Sequence, residues 1–154
     1  MSNGNASLAA ARANLPQQLV KGNAQDGEAR VIVSTYTVPA TGGPGIGEYI
    51  SWGFLPLNAR LLPGAKVYNS AGAAGSTINL GDPVNTARYM AATAVTAAGA
   101  AAAEAQYAAG ALFEVTVAKA GDPTDLSELR SVVAGAALQA GQVLTLVGTY
   151  VTNN

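Results

Sequence analysis

The chain has 154 residues, 49% of them apolar, with no His, no Cys, eight basic and nine acidic side chains, and a net charge of −1. Catalysis at neutral pH usually depends on imidazole, thiolate or carboxylates with shifted pKa values, and the carboxylates here are scattered, so we do not expect an enzyme. The Lys and Arg residues do not cluster either, which argues against nucleic-acid binding.

Residues 1–27 differ in pattern from the rest of the chain, because they are mostly polar and show no regular alternation. We predict that they form an extended N-terminal arm and that residues 28–154 form one folded domain. Four scattered apolar side chains of the arm are candidates for contact with a partner protein: Leu8, Leu15, Leu19 and Val20. The alternative is a loose terminus without a binding role.

After the arm, apolar and polar residues alternate with the period of two that is typical of β-strands. Within residues 112–118, for example, Phe113 and Val115 are predicted to face one way and Glu114 the other. Short strands separated by turn signals every ~10 residues are typical of a β-sandwich or a barrel, and we predict a sandwich with little helix. The predicted strands are residues 31–38, 48–54, 60–68, 77–80, 112–118, 129–134 and 142–151.

Residues 90–110 allow two interpretations. The Ala-rich run at residues 97–106 favours a helix, because Ala is the best helix former. The β-branched residues Thr93 and Val95, together with Gly99 in the middle of the run, favour a strand, a turn and a second strand. The sequence alone does not exclude the helix, and we favour the strand, turn and strand.

Three other function classes lack support in the sequence. Residues 1–14 have no basic region followed by an apolar stretch, and the Ala run at residues 97–103 is too short to span a bilayer, so we expect neither secretion nor a membrane partner. The Gly-rich stretch at residues 42–47 lacks the Gly-Lys-Ser/Thr ending of a phosphate-binding loop. We therefore predict that it is a hairpin loop.

The sequence Gly-Asp-Pro occurs twice, at residues 81–83 and 121–123. Asp in this setting commonly accepts hydrogen bonds from its own backbone, which predicts two turns. The alternative at the second copy is a Ca²⁺ site formed by Asp122, Asp125 and Glu128, although their spacing does not match a calcium loop. We therefore expect no metal and no cofactor.

Large aromatic side chains are few, and at strand positions they usually pack into a core. Some of them could instead anchor a subunit interface, and Trp52 and Phe54 are our candidates for that role. The abundance of Ala and Gly means that one subunit buries little apolar area per residue, so we expect a symmetric homo-oligomer.

Several segments, taken in order, resemble a known group of proteins. They are YTVPA at residues 36–40, GFLPLNARLLPGAKV at 53–67, GSTINLGD at 75–82, ARYMAA at 87–92 and LQAGQVLTLVGTYV at 138–151. Together they resemble the small β-rich structural proteins of tailed bacteriophages that accompany the major capsid protein, among them head decoration or cement proteins. The resemblance covers residues 30–152 approximately and leaves residues 1–29 unmatched.

This resemblance implies a jelly-roll fold and a homotrimer on the outside of the virion capsid, where it binds the major capsid protein and ties capsomers together. It implies synthesis in the host cytoplasm, and it carries no catalytic or cofactor residues to transfer. Two alternatives remain, a head-tail or tail-associated virion protein and a carbohydrate-binding module. A carbohydrate-binding module should show exposed aromatic side chains beside clusters of Asp or Asn.

Overall fold

The computed structural model describes residues 27–102, 106, 112–122 and 124–152. These residues contain no α-helix, and therefore no helix that is long and apolar enough to cross a membrane. The strands in the described part of the chain are β1 (Glu28–Thr37), β2 (Tyr49–Phe54), β3 (Arg60–Leu61), β4 (Lys66–Asn69), β5 (Thr77–Leu80), β6 (Met90–Ala94), β7 (Gly99–Ala102), β8 (Glu128–Ala134) and β9 (Val143–Thr152).

The strands form two antiparallel sheets. Sheet I has the order β1-β9-β4-β7, with β3 also paired to β9, and sheet II has the order β2-β8-β5-β6. In sheet I, β1 and β9 pair along their whole length, from Glu28 opposite Thr152 to Thr37 opposite Val143. The predicted all-β antiparallel sandwich with little helix is confirmed.

The core lies between the two sheets and follows from the period-two pattern. Leu144 and Leu146 of β9 and Val67 of β4 point inward from sheet I, and Ile78 of β5 and Leu129 of β8 point inward from sheet II. Each of these side chains is fully buried or nearly so. Burying such side chains from both sheets in one cluster is the main source of stability for a sandwich of this size.

The predicted strand at residues 60–68 is interrupted, and the interruption has a simple cause. Pro63 and Gly64 lie in a turn between β3 and β4, and both short strands pair with the single long strand β9. Proline has no backbone N–H to donate to a sheet, so a break at this position is expected.

The prediction of a strand at residues 112–118 is wrong. Val115 does face inward and is fully buried, but its backbone bonds only to a short loop, donating to Ala59 O at 2.9 Å and accepting from Asn58 N at 2.8 Å. Beyond these bonds there is one isolated bridge between Glu114 and Arg60. Apolar alternation alone does not supply a neighbouring strand, and the described residues provide none that pairs with this segment along its length.

Residues 90–102 form a strand, a turn and a strand, as β6 and β7. The Ala-rich strand β7 pairs with β4, with Ala101 opposite Val67. The backbone hydrogen bonds that β7 makes with β4 therefore override the helical propensity of Ala. Residues 103–105 and 107–111 lie outside the described residues. The predicted arm also lies outside them up to residue 26, and with it the candidates Leu8, Leu15, Leu19 and Val20.

Candidate functional site

The two interface candidates on β2 have different environments. Trp52 is 4% exposed and belongs to the core, where its Nε1 donates a hydrogen bond to Ser131 Oγ at 2.8 Å. Phe54, two residues further on, is 50% exposed. The subunit itself therefore encloses the indole, while the phenyl ring remains available to a partner.

A β-bulge in β2 explains the position of Phe54. Tyr49 and Phe54 are five residues apart, so regular alternation would place them on opposite faces of the strand. The register with β8 shifts between Ser51 and Gly53, leaving Trp52 without a partner, and Gly53 has a φ of 127° that favours glycine. The extra residue changes the phase of alternation, so that both aromatic rings lie on the outer side of sheet II.

These two rings line a surface groove that we call the β2 groove. It has a volume of about 410 Å³ and is lined by Tyr49, Phe54, Gly121, Asp122, Glu128 and Arg130. A second cavity of about 500 Å³ adjoins it, because Tyr49 also lines that cavity together with Tyr36 and the loop that contains Pro44. The groove and its neighbour therefore follow the exposed edge of sheet II.

The charged side chains of the β2 groove are held in place by one another and by a turn. Arg130 forms an ion pair with Glu128, and its guanidinium carbon lies 4.1 Å from the centre of the Tyr49 ring. Asp122 Oδ1 accepts hydrogen bonds from Thr124 Oγ1 at 2.7 Å and Thr124 N at 2.9 Å, and these bonds lower the pKa of Asp122. At neutral pH the lining thus carries two negative charges and one positive charge.

The Asp side chains of the two Gly-Asp-Pro sequences both accept backbone hydrogen bonds as predicted, but Asp82 is far more buried than Asp122. Asp82 Oδ1 accepts hydrogen bonds from Val84 N at 2.8 Å and Asn85 N at 2.7 Å, and its Oδ2 pairs with Arg88. The guanidinium carbon of Arg88 lies 3.8 Å from the ring centre of Phe113. This cluster joins the loop after β5 to residues 112–118, which is a structural role.

The acids considered for a Ca²⁺ site lie in separate environments. Asp125 is buried and accepts a hydrogen bond from Ser127 N at 2.8 Å, while Glu128 pairs with Arg130. Within the described residues, no three acidic side chains come together in a way that could hold a metal ion.

The outer side of sheet I is unusually poor in charge. Its exposed apolar residues include Val31, Val33 and Tyr68, which are 63%, 64% and 47% exposed. Among the described strands, the charged residues of this surface are Lys66 and Arg60, which lies opposite Val151 and forms an ion pair with Glu114. We call it the sheet I outer face: Val31, Val33, Thr35, Lys66, Tyr68, Ala100, Ala102, Val143, Thr145, Val147 and Thr149. An antiparallel sheet that faces water normally carries more charged residues there.

With this geometry the chain belongs to the antiparallel β-sandwich proteins. Its fold is similar to that of a chain in the cyanophage Pam1 capsid asymmetric unit, with a TM-score of 0.65, 20% sequence identity and 99% of both chains covered. It is also similar to a chain in the capsid of Ralstonia phage GP4, with a TM-score of 0.53, 20% identity, and 84% of this chain and 86% of that chain covered. No protein-family model and no curated protein matches the sequence.

Proposed function

We propose that the protein is a structural component of a phage virion, without catalytic activity, that decorates the capsid. In this role it binds the outer surface of the major capsid shell and stabilises the contacts between capsomers. The observation that carries the proposal is the similarity to a chain of the cyanophage Pam1 capsid asymmetric unit, which extends over 99% of both chains. At 20% sequence identity the similarity is one of fold, and it extends over nearly the whole of both chains.

The strand order supports a jelly roll in particular. A jelly roll has eight strands in two antiparallel sheets, built from two Greek keys. Setting aside the two-residue strand β3, the orders β1-β9-β4-β7 and β2-β8-β5-β6 meet this description. The first and last strands lie side by side in sheet I, and most connections along the chain cross from one sheet to the other.

We further propose that copies of the chain associate through the sheet I outer face as a homotrimer. Replacing Val33 with Lys should shift the purified protein from oligomer to monomer at micromolar concentration, because the new charge would be buried against another subunit. Sedimentation equilibrium measures this shift. The matched control is Val84→Lys, since Val84 is 61% exposed but lies in the loop after β5. Equal behaviour of the two variants would contradict this assignment.

Attachment to the capsid is assigned to the arm. Deleting residues 1–27 should leave the sandwich folded, because β1 begins at Glu28, and should weaken binding to capsids that lack the protein. Because the arm carries few charges, binding of the full-length chain should depend only weakly on salt. Co-sedimentation with such capsids at low and high salt measures both effects.

A second, full-length variant keeps the arm but has its four apolar side chains changed to Ser: Leu8, Leu15, Leu19 and Val20. This variant tests whether binding depends on apolar contacts of the arm or only on the presence of the arm. It should lose binding as the deletion does. If the deleted and full-length forms co-sediment equally, the arm is not the attachment site. Cryo-EM of the virion would identify the alternative role, because density confined to the tail or the head-tail junction is incompatible with capsid decoration.

A further inference from the structure

We propose that the β2 groove binds a neutral oligosaccharide, whose sugar rings stack on Tyr49 and Phe54 and whose hydroxyl groups bond to the charged side chains between them. This binding site is additional to the proposed structural role and does not depend on it.

The backbone of β2 is built in a way that presents two aromatic rings together. Without the bulge at Gly53, Phe54 would follow Trp52 on the inner side of the strand, where an apolar ring is normally placed. The bulge gives up regular pairing with β8 and instead turns this ring to the outside, opposite Glu128. Bulges commonly re-aim side chains beside functional sites, and this bulge keeps an apolar ring half exposed at the surface.

The Tyr49 ring is a fixed platform. The guanidinium group of Arg130 covers one of its faces at 4.1 Å, and Arg130 is itself held by the ion pair with Glu128. The ring is nevertheless 51% exposed, so its other face is open. A rigid aromatic face of this kind offers apolar contact to the C–H groups of a sugar ring at a low entropic cost.

The spacing of the rings indicates the size of the ligand. Because of the bulge, Tyr49 and Phe54 lie opposite Val132 and Glu128, which are four residues apart on β8, and this spacing corresponds to roughly 13 Å of strand. That length exceeds one sugar ring, so both platforms would be used by a short oligosaccharide. The groove volume of about 410 Å³ lies within the usual range of small-ligand sites.

The polar groups of the groove indicate a neutral ligand. Both hydrogen bonds from Thr124 go to Oδ1 of Asp122, which leaves Oδ2 to accept a hydrogen bond from a sugar hydroxyl. The two carboxylates and one guanidinium of the lining sum to a charge of −1. A phosphate, a nucleotide or an acidic sugar would be repelled by that balance, whereas hydroxyl groups can both donate to carboxylates and accept from Arg130.

The test is a titration of the full chain with three neutral probes, maltohexaose, cellohexaose and chitohexaose, followed by two-dimensional NMR or calorimetry. We expect at least one hexasaccharide to bind. Tyr49→Ala and Phe54→Ala should each weaken that binding by about tenfold, since each removes one stacking platform. Tyr49→Phe keeps the ring and should bind within about twofold of the parent chain. Thermal unfolding of each variant verifies that it is folded.

Val84→Ala is the matched control. Val84 is 61% exposed, but it lies in the loop after β5, outside both the β2 groove and the sheet I outer face. This variant should bind the sugar as the parent does. Equal weakening by Val84→Ala would mean that binding does not depend on the rings of the β2 groove and would overturn the proposal.

Two other results would also overturn it. One is the absence of binding for all three hexasaccharides at millimolar concentration. The other is that the parent chain binds no sugar while Tyr49→Ala and Phe54→Ala no longer co-sediment with capsids. That result would mean that the β2 groove contacts another protein. Both results leave the proposed capsid role standing, so the two proposals fail separately.

Discussion

Replacing Asp82 with Ala should destabilise the protein by about 3–5 kcal/mol, the usual effect of removing one partner from a buried ion pair. Asp82 is fully buried, and its loss would leave Arg88 without its carboxylate partner and the backbone N–H groups of Val84 and Asn85 without their acceptor. The turn after β5 and its connection to Phe113 should loosen together. Urea unfolding followed by tryptophan fluorescence measures the change in the free energy of unfolding.

The control for this variant is Asp122→Ala, in the second copy of the same tripeptide. Asp122 makes a similar turn with Thr124, but it is only partly buried and has no ion pair in the described part of the chain. Its replacement should change stability far less. If both variants unfold at the same urea concentration, burial is not what makes the first turn important.

Replacing Trp52 with Ala should destabilise the protein by about 3–5 kcal/mol, because it leaves a large cavity in the core. The same change leaves Ser131, which is fully buried, without the hydrogen bond from the indole. Trp52→Phe should lose less, since it keeps most of the apolar volume. Both variants remove the single Trp of the chain, so their unfolding is measured by far-UV circular dichroism instead of fluorescence.

Phe54→Ala is the comparison for Trp52. Its ring is half exposed, so we expect a change of about 0.5 kcal/mol or less in the free energy of unfolding. The two residues were equivalent as interface candidates from sequence, and these variants separate them by stability alone. A large loss of stability in Phe54→Ala would show that its ring supports the fold.

The strands with the clearest alternation were the ones that could be predicted from sequence. In β9, Leu144 and Leu146 alternate with Thr145 and are buried as the pattern indicates, and β5 has the predicted bounds. Residues 112–118 show the same alternation but form no strand, because pairing depends on a distant segment that a local pattern does not contain. The fold class could therefore be predicted from the sequence, whereas the lack of strand pairing at residues 112–118 could not.

The β2 groove could not be predicted, for a related reason. Tyr49 and Phe54 differ by five positions in the sequence, and in a regular strand an odd difference places two side chains on opposite faces. Only Gly53 gave a signal, since a glycine inside a strand often marks a bulge. Asp122 and Arg130 belong to one stretch of chain, at the beginning of β8, that is far from β2 in sequence, and the sequence holds no local sign that the two meet.

The full-length pairing of β1 with β9 has a mechanical consequence. Glu28 and Thr152 lie opposite each other at one end of sheet I, so a pull on the chain from these two residues would act across the ladder rather than along it. The hydrogen bonds would then open in succession from this end, as in a zipper, instead of resisting together in shear. The sandwich would therefore best resist a load that enters elsewhere than through this pair of ends.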